Sequence, residues 1–192
     1  YEALDQAYES TLIGWAQALD MRDGETQGHS RRVADMTLKL AKIVGLPESE
    51  WVHIWRGALL HDIGKMGIPD SILLHPGPLG EREWEIMRRH PVYGVEWVER
   101  VEHLKLEIPL IRHHHERWDG KGYPDGLKGN EIPRIARIFS IVDVWDALLS
   151  KRPYRDAWTR EEVAGYLTKN AGRQFDPEIV DIFLQRYQEV IS

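Results

Sequence analysis

The sequence predicts an all-α protein, and three features of it support this prediction. Apolar residues recur at intervals of three and four along most of the chain, which is typical of amphipathic helices. Glycine and proline fall between these periodic segments, where they end one helix and begin the next. No convincing stretch alternates apolar and polar residues with a period of two, so no strand is predicted, and no internal repeat is visible.

The first predicted helix covers residues 1–22 and is amphipathic, so we expect it to connect an upstream part of the protein to the remainder. The remaining predicted helices cover residues 26–44, 49–61, 80–90, 91–101, 108–118, 134–150, 160–170 and 177–191. Residues 119–133 are rich in glycine and proline and are predicted to form a loop. The expected organisation is a connecting helix at 1–22 and one functional domain at 23–192.

Composition narrows the functional classes. The 192 residues carry a net charge of −6, so the surface as a whole offers no basic face for duplex nucleic acid. The absence of cysteine excludes disulfides, thiolate metal sites and cysteine nucleophiles, and it suits a reducing cytoplasm, the expected location. No apolar run is long enough to span a membrane, and no signal peptide is visible. Because the chain begins at Tyr1 rather than Met, we expect it to be part of a longer protein.

Histidines and carboxylates lie in several segments that a fold could bring together. The candidates are Glu25, His29, His61, Asp62, His90, His113, His114, His115, Glu116 and Asp143. A ligand set of imidazole and carboxylate without sulfur favours Fe, Mn, Zn, Co or Ni. Glu25 and His29 are four residues apart and are predicted to share one helical face. Asp143 lies within an apolar predicted helix and needs a partner, because an unpaired buried carboxylate is costly.

Each candidate also has a structural explanation when it is taken alone. A single histidine is more often a capping or surface residue than a ligand. Asp143 could pair with Arg134 or Arg137, Glu25 could favour a helix dipole from the first turn, and Lys65 could be solvated. Three histidines have no such neighbours and are expected to be structural or exposed: His53, His75 and His103.

Several sequence blocks together carry a more specific pattern. They are GHSRRV at 28–33, LHDIGKMGIPD at 60–70, PGPL at 76–79, MRRHPVYG at 87–94, HHERWDGKGYPDGL at 114–127, IFSIVDVWDAL at 138–148, RPYR at 152–155 and GRQFDP at 172–177. This pattern closely resembles the HD-GYP family, a branch of the HD-domain phosphohydrolases, from about residue 23 to the end. The block with Gly122-Tyr123-Pro124 is the most specific of them.

The resemblance implies a fold, an activity and a metal centre. The implied fold is an HD-domain helical bundle with additional C-terminal helices. The implied activity is hydrolysis of cyclic di-GMP through pGpG, possibly to GMP, by a metal-bridging hydroxide that attacks the phosphodiester. The implied cofactors are two or three divalent transition-metal ions, with Fe or Mn favoured. The implied metal ligands are Glu25, His29, His61, Asp62, His90, His114, His115 and Asp143.

Individual roles also follow from the resemblance. Asp62 is the expected bridge between two ions, and Asp62 and Lys65 are the expected catalytic residues. Glu25 marks the three-metal type, because members without this glutamate hold two ions, whereas His113 stays outside the ligand set. The expected substrate-binding residues are Lys65, Tyr123, Asp146, Arg152 and Arg155. For Asp146, the sequence leaves open whether it faces the substrate or instead orients a histidine or Lys65.

Two other functions stay open from the sequence alone. One is a phosphodiesterase for another cyclic dinucleotide such as 3′,3′-cyclic GMP-AMP. The other is a non-catalytic module that senses cyclic di-GMP or docks partners, which the complete ligand set disfavours. The Gly-Tyr-Pro motif argues against dNTPs and guanosine tetraphosphate as substrates. An upstream sensory or receiver domain and a homodimer also stay open as partners.

Overall fold

The prediction of an all-α fold is confirmed. The computed structural model describes residues 2–26, 28–151 and 156–192, and from residue 6 onward it describes their side chains. These residues form ten α-helices: α1 (Glu2–Asp23), α2 (His29–Val44), α3 (Trp51–Leu59), α4 (Asp70–Leu73), α5 (Glu81–Met87), α6 (His90–Val98), α7 (Ile108–His113), α8 (Arg134–Leu149), α9 (Arg160–Asn170) and α10 (Pro177–Ile191). Short 3₁₀ helices lie at Glu48–Glu50, Ile63–Gly67, Glu102–Glu107 and Gly129–Glu131. In this part of the chain, no helix is both long and apolar enough to cross a bilayer.

The core is built around α8, which packs against α2, α7, α9 and α10. Phe139 and Trp145 of α8 are fully buried, and Phe183 of α10 contacts Trp145 edge to face at 5.0 Å between ring centroids. The large side chains on α8 therefore fill the centre of the bundle by apolar burial. Asp143 lies in the same helix, so the core places this carboxylate near the middle of the fold.

Helix α1 packs on the bundle through one face and does not stand apart from it. Leu12, Ala16 and Leu19 are at most 3% exposed, whereas Trp15 and Met21 on the other face are exposed. The helix contacts α2, α3 and the 3₁₀ helix at Ile63–Gly67. Its last residues, as shown below, reach the candidate site.

The prediction that α2 begins near residue 26 was wrong. Gly28 adopts a left-handed backbone conformation with a φ of 74°, and the helix begins directly after it at His29. Glu25 therefore lies in the non-helical connection before α2. The expectation that Glu25 and His29 share one helical face is corrected accordingly.

Three further boundaries differ from the sequence prediction. His90 begins α6 instead of ending the preceding helix, because Pro91 fits the first turn, where its missing N–H needs no partner. Helix α3 ends at Leu59, so His61 and Asp62 lie in the turn before the 3₁₀ helix. The predicted helix 108–118 ends at His113, and the histidines that follow lie on the segment leaving α7.

Gly64 allows the 3₁₀ helix to lie directly against α6. A Cβ atom at this position would stand 1.8 Å from the backbone oxygen of His90 and 2.4 Å from the backbone nitrogen of Gly94. Only hydrogen fits between these backbones, so glycine is required by close approach. This contact brings His90 next to the turn that carries His61 and Asp62.

Candidate metal centre

Seven of the eight predicted ligands lie in two clusters. Within each cluster, one ligand atom per residue lies within 4.8 Å of all the others. Cluster A consists of Asp62, His90, His114 and His115, and cluster B consists of His29, His61 and Asp143. The two clusters are adjacent, since His61 Nε2 lies 3.1 Å from Asp62 Oδ2.

Different parts of the fold contribute to each cluster. In cluster A, Asp62 comes from the turn after α3, His90 from the start of α6, and His114 and His115 from the segment after α7. In cluster B, His29 is the first residue of α2, Asp143 lies within α8, and His61 comes from the same turn as Asp62. The turn at 60–62 therefore joins the two clusters.

Three histidines are oriented by the backbone. In His61, His90 and His114, Nδ1 lies 2.8–2.9 Å from the carbonyl oxygen of the residue three positions earlier. A carbonyl oxygen only accepts hydrogen bonds, so Nδ1 carries the hydrogen in each ring. In the neutral imidazole, the Nε2 lone pair is then directed toward the clusters. This orientation is the usual one for metal-binding histidines.

The arrangement inside cluster A fits a bound cation. His90 Nε2 and His114 Nε2 are 3.2 Å apart. Two lone pairs at this distance repel each other unless a proton or a cation lies between them. Asp62 Oδ1 is also buried without a hydrogen-bond partner among the described residues, 3.1 Å from His90 Nε2. Imidazole and carboxylate donors suit divalent transition metals, so the residues present fit a metal centre.

His29 is held between two carboxylates of α8. Its Nδ1 lies 2.7 Å from Asp146 Oδ2, and its Nε2 lies 3.5 Å from Asp143 Oδ1. Burial opposes the charged ring, but hydrogen bonds to these carboxylates outweigh it and raise the pKa of His29 to about 10. The alternative pairing of Asp143 with an arginine of α8 is not observed, since Arg137 binds Asp176 at 2.7 Å.

Lys65 is part of the site and is not solvated. Its side chain is 16% exposed, and its Nζ lies 2.7 Å from Asp62 Oδ2 and 3.0 Å from Asp23 Oδ2. Burial disfavours the ammonium, but the two carboxylates outweigh it and raise the pKa of Lys65. Burial is likewise outweighed at Asp62, where Lys65 and His61 hold the carboxyl pKa well below its usual value.

Cluster A also contains histidines that stay neutral. Burial, together with the neighbouring His61 and His90, lowers the pKa of His114 to about 4 against the opposing effect of the nearby Asp62 carboxylate. Burial, followed by the charges of His114 and His90, lowers the pKa of His115 well below its usual value. Neutral imidazole is the form that binds a metal ion.

The loop after α7 places Tyr123 beside cluster A. Its ring stacks on His115 with 4.7 Å between centroids, and burial raises the pKa of its hydroxyl. A Cβ atom at Gly122 would stand 2.4–2.6 Å from backbone atoms of residues 115–117, so the loop is pressed against the histidine segment. The buried Glu116 accepts hydrogen bonds from the backbone N–H groups of Asp125 and Gly126, which holds the loop closed.

The other predicted site residues have different positions. Asp146 contacts His29 and so can orient this histidine, while its role in binding the substrate stays a prediction. Glu25 belongs to neither cluster of the described residues. His113 lies outside both clusters and pairs with Asp125 at 3.0 Å. Arg152 and Arg155 lie outside the described residues.

Sequence reasoning missed two residues that support the site, Asp23 and Arg32. Asp23 ends α1 and pairs with Lys65, and Arg32 binds Asp146. Arg32 stands in the GHSRRV block, so the motif held a signal for it. The pairing partner of Asp23 lies 42 residues away, and no local pattern indicates it.

Comparison with known proteins places the chain in a family. A sequence model described as "HD domain" matches residues 15–179. A 3′3′-cGAMP-specific phosphodiesterase 2 of Vibrio cholerae is 44% identical over 191 residues, which cover 98% of this chain and 37% of that protein. The cyclic di-GMP phosphodiesterase response regulator RpfG of Xanthomonas campestris is 43% identical over 184 residues, which cover 95% of this chain and 49% of that protein. The chain thus spans half or less of the length of these relatives.

Solved structures support the same fold. A cyclic GMP-AMP-specific phosphodiesterase of V. cholerae superposes with a TM-score of 0.74 at 20% identity, covering 93% of this chain and 48% of that one. An HD-GYP-type protein of Bdellovibrio bacteriovorus superposes with a TM-score of 0.67 at 21% identity, covering 83% and 51%. The chain belongs to the HD domain family, and its resemblance to the HD-GYP branch of that family is confirmed.

Proposed function

We propose that this chain is a metal-dependent phosphodiesterase that hydrolyses cyclic di-GMP to linear pGpG, with GMP as the final product if pGpG is cleaved in turn. The observation that carries the proposal is the pair of adjacent clusters, joined at His61 and Asp62, with imidazole nitrogens facing each other in cluster A. The names of relatives such as RpfG support cyclic di-GMP as the substrate. The Gly122-Tyr123-Pro124 loop beside cluster A supports it further, since that motif gives the HD-GYP branch its name.

The proposed cofactors are two divalent ions, Fe or Mn, held by clusters A and B and bridged by Asp62. Such ions would activate a water molecule for attack on phosphorus and would neutralise charge on the phosphate oxygens. A third ion, bound with the help of Glu25, is also proposed. It is supported by the resemblance to the three-metal type and by the position of Glu25 in the connection directly before His29.

The side chains around the clusters have proposed roles in binding the substrate. Lys65 keeps its proton beside Asp62, so its ammonium is available to bind a phosphate oxygen or to protonate the leaving oxygen. The Tyr123 hydroxyl keeps its proton as well and would donate a hydrogen bond to a phosphate oxygen. Arg152 and Arg155 are proposed to bind phosphate through their guanidinium groups. Asp146 is proposed to keep His29 in place for its metal.

A turnover assay tests the proposal. Purified protein loaded anaerobically with Mn²⁺ or Fe²⁺ should convert cyclic di-GMP to pGpG and GMP. Chromatography of the reaction mixture measures the substrate and both products. The double variant His61→Ala/Asp62→Ala should lose this activity, because it removes one ligand from each cluster. His103→Ala is the matched control, since this histidine is exposed and distant from both clusters in sequence. Full activity in the double variant would refute the proposed site.

A second candidate substrate is 3′,3′-cyclic GMP-AMP. The observation that favours it is the V. cholerae relative named for this nucleotide, which is 44% identical to this chain. Side-by-side turnover of cyclic di-GMP and 3′,3′-cyclic GMP-AMP at equal concentrations would decide between the two. A larger kcat/KM for cyclic GMP-AMP would replace the first proposal while keeping the reaction class.

The number of ions has its own test. Metal analysis of wild type and Glu25→Ala after equilibration with Mn²⁺ should show fewer ions per chain in the variant. Equal counts would refute the third ion.

The wider organisation is also proposed: a cytoplasmic enzyme in which residues 1–22 connect an upstream sensory or receiver domain to residues 23–192, and which forms a homodimer. Two observations bear on this organisation: α1 runs unbroken to Asp23, and relatives extend well beyond the matched region.

A further inference from the structure

His29 differs from the other oriented histidines in what holds its ring. His61, His90 and His114 each donate Nδ1–H to a backbone carbonyl of the preceding turn. His29 begins α2, and the carbonyl oxygen three positions earlier, that of Thr26, already accepts the backbone N–H of His29 at 2.9 Å. Nδ1 of the His29 ring instead has a side-chain partner, Asp146 Oδ2, at 2.7 Å. The orientation of His29 thus depends on how firmly Asp146 is held.

Arg32 holds Asp146 with a two-point contact. Its Nε lies 3.0 Å from Asp146 Oδ1, and its Nη2 lies 3.0 Å from Asp146 Oδ2. This planar fork fixes the carboxylate plane, whereas a single donor would leave it free to rotate. The Asp146 side chain is 9% exposed, so water gives little alternative support. Arg32 stands one helical turn after His29, and both project from α2 toward the same carboxylate of α8.

Arg32 also contacts the segment that carries Glu25. Its Nη2 lies 2.9 Å from the Thr26 hydroxyl, which accepts a hydrogen bond from it. One guanidinium group thereby joins α8, the start of α2 and the connection before α2. Two of these elements carry residues of cluster B, since Asp143 lies in α8 and His29 begins α2.

We propose that Arg32 is a positioning residue for the metal ion of cluster B, an inference that rests on the proposed metal centre. Arg32 fixes Asp146, Asp146 fixes Nδ1–H of His29, and Nε2 of His29 then faces Asp143 and His61. Replacing such outer contacts costs about 10–100-fold in metal affinity. Cluster A does not depend on this chain of contacts, because backbone carbonyls orient His90 and His114. Loss of Arg32 therefore weakens one ion and spares the other.

A titration of the metal-free protein with Mn²⁺ tests the proposal without any substrate. Binding is measured by electron paramagnetic resonance and by metal analysis after equilibrium dialysis. Wild type should bind ions to both clusters. Arg32→Ala should lose about 10–100-fold in affinity for one ion and keep the affinity of another. Arg32→Lys, which keeps the charge without the fork, should fall between wild type and Arg32→Ala. The control is Arg31→Ala, because Arg31 is exposed and makes no ion pair or hydrogen bond with a described residue; it should bind as wild type does.

A double variant ties the effect to cluster B. Asp143→Ala removes a ligand of this cluster, so adding Arg32→Ala to it should weaken the remaining ion no further. Unchanged metal affinities in Arg32→Ala would overturn the proposal without refuting the metal centre. If the alanine variant does not fold, unchanged affinities in Arg32→Lys would have the same meaning. Equal weakening of every ion would overturn it as well, since that result indicates a general structural role. Wild type that binds no Mn²⁺ would refute the metal centre itself and this inference with it.

Discussion

Replacing Gly64 by alanine should break the contact that holds α6, which begins with His90, against the 3₁₀ helix directly after His61 and Asp62. The new Cβ atom would stand 1.8 Å from the His90 oxygen, which must withdraw by about 1.6 Å to reach ordinary contact at 3.4 Å. The atoms on both sides belong to backbone, so no side chain can rotate away. Overpacking of a well-packed core costs about 1–3 kcal/mol, and we expect the upper end, about 3 kcal/mol, at this position.

Thermal unfolding and metal analysis measure the effect. For a chain of this size, 1 kcal/mol corresponds to about 2–4 °C in Tm, so Gly64→Ala should lower Tm by about 6–12 °C. It should also weaken the ion of cluster A, because His90 moves with its backbone. Gly165→Ala is the matched control: nothing lies within 4 Å of the added Cβ atom in the middle of α9. There, alanine should stabilise the protein by about 0.5–1 kcal/mol. A Gly64→Ala protein with wild-type Tm and metal content would refute the reasoning.

Other expectations follow from buried charges. Asp23→Asn should lower the free energy of unfolding by about 1–3 kcal/mol in chemical denaturation, because Lys65 loses one of its two charged partners; an unchanged value would contradict the role given to Asp23. Burial raises the pKa of Glu107 despite its contact with His53. The folded state then holds a proton that the unfolded state releases above about pH 4.5, so stability falls as pH rises through the raised pKa. Glu107→Gln should flatten the decline of Tm above pH 4.5, and parallel curves for variant and wild type would contradict this.

Local patterns predicted most of the helices and the residues that the two clusters bring together. Helical periodicity predicted α8 and the carboxylate within it, and the structure supplies the partner that Asp143 needed, His29. The motif with the adjacent residues His61 and Asp62 predicts both as ligands, and each lies in a different cluster, with a contact of 3.1 Å between them. These features depend on residues near each other in sequence or on motif spelling, which a single sequence contains.

The remaining features depend on backbone geometry and distant contacts. The spacing of Glu25 and His29 suggested one helical face, but the left-handed Gly28 starts the helix later. Conformation at a single glycine cannot be deduced from spacing. Arg32 and Asp146 meet across 114 positions in sequence, and only the packing of α2 against α8 brings them together. The pairings of Arg32 with Asp146 and of Asp23 with Lys65 therefore could not be predicted from spacing, whereas the motifs predicted the residues that the two clusters bring together.

The central claim is that two adjacent clusters hold metal ions. Anomalous diffraction at the manganese edge, from crystals grown with Mn²⁺, tests it most directly. We expect one peak within reach of His90, His114 and His115, a second within reach of His29, His61 and Asp143, and Asp62 between them, with the peaks about 3.5–4 Å apart. Peaks elsewhere in the bundle, or none at either cluster, would contradict the account.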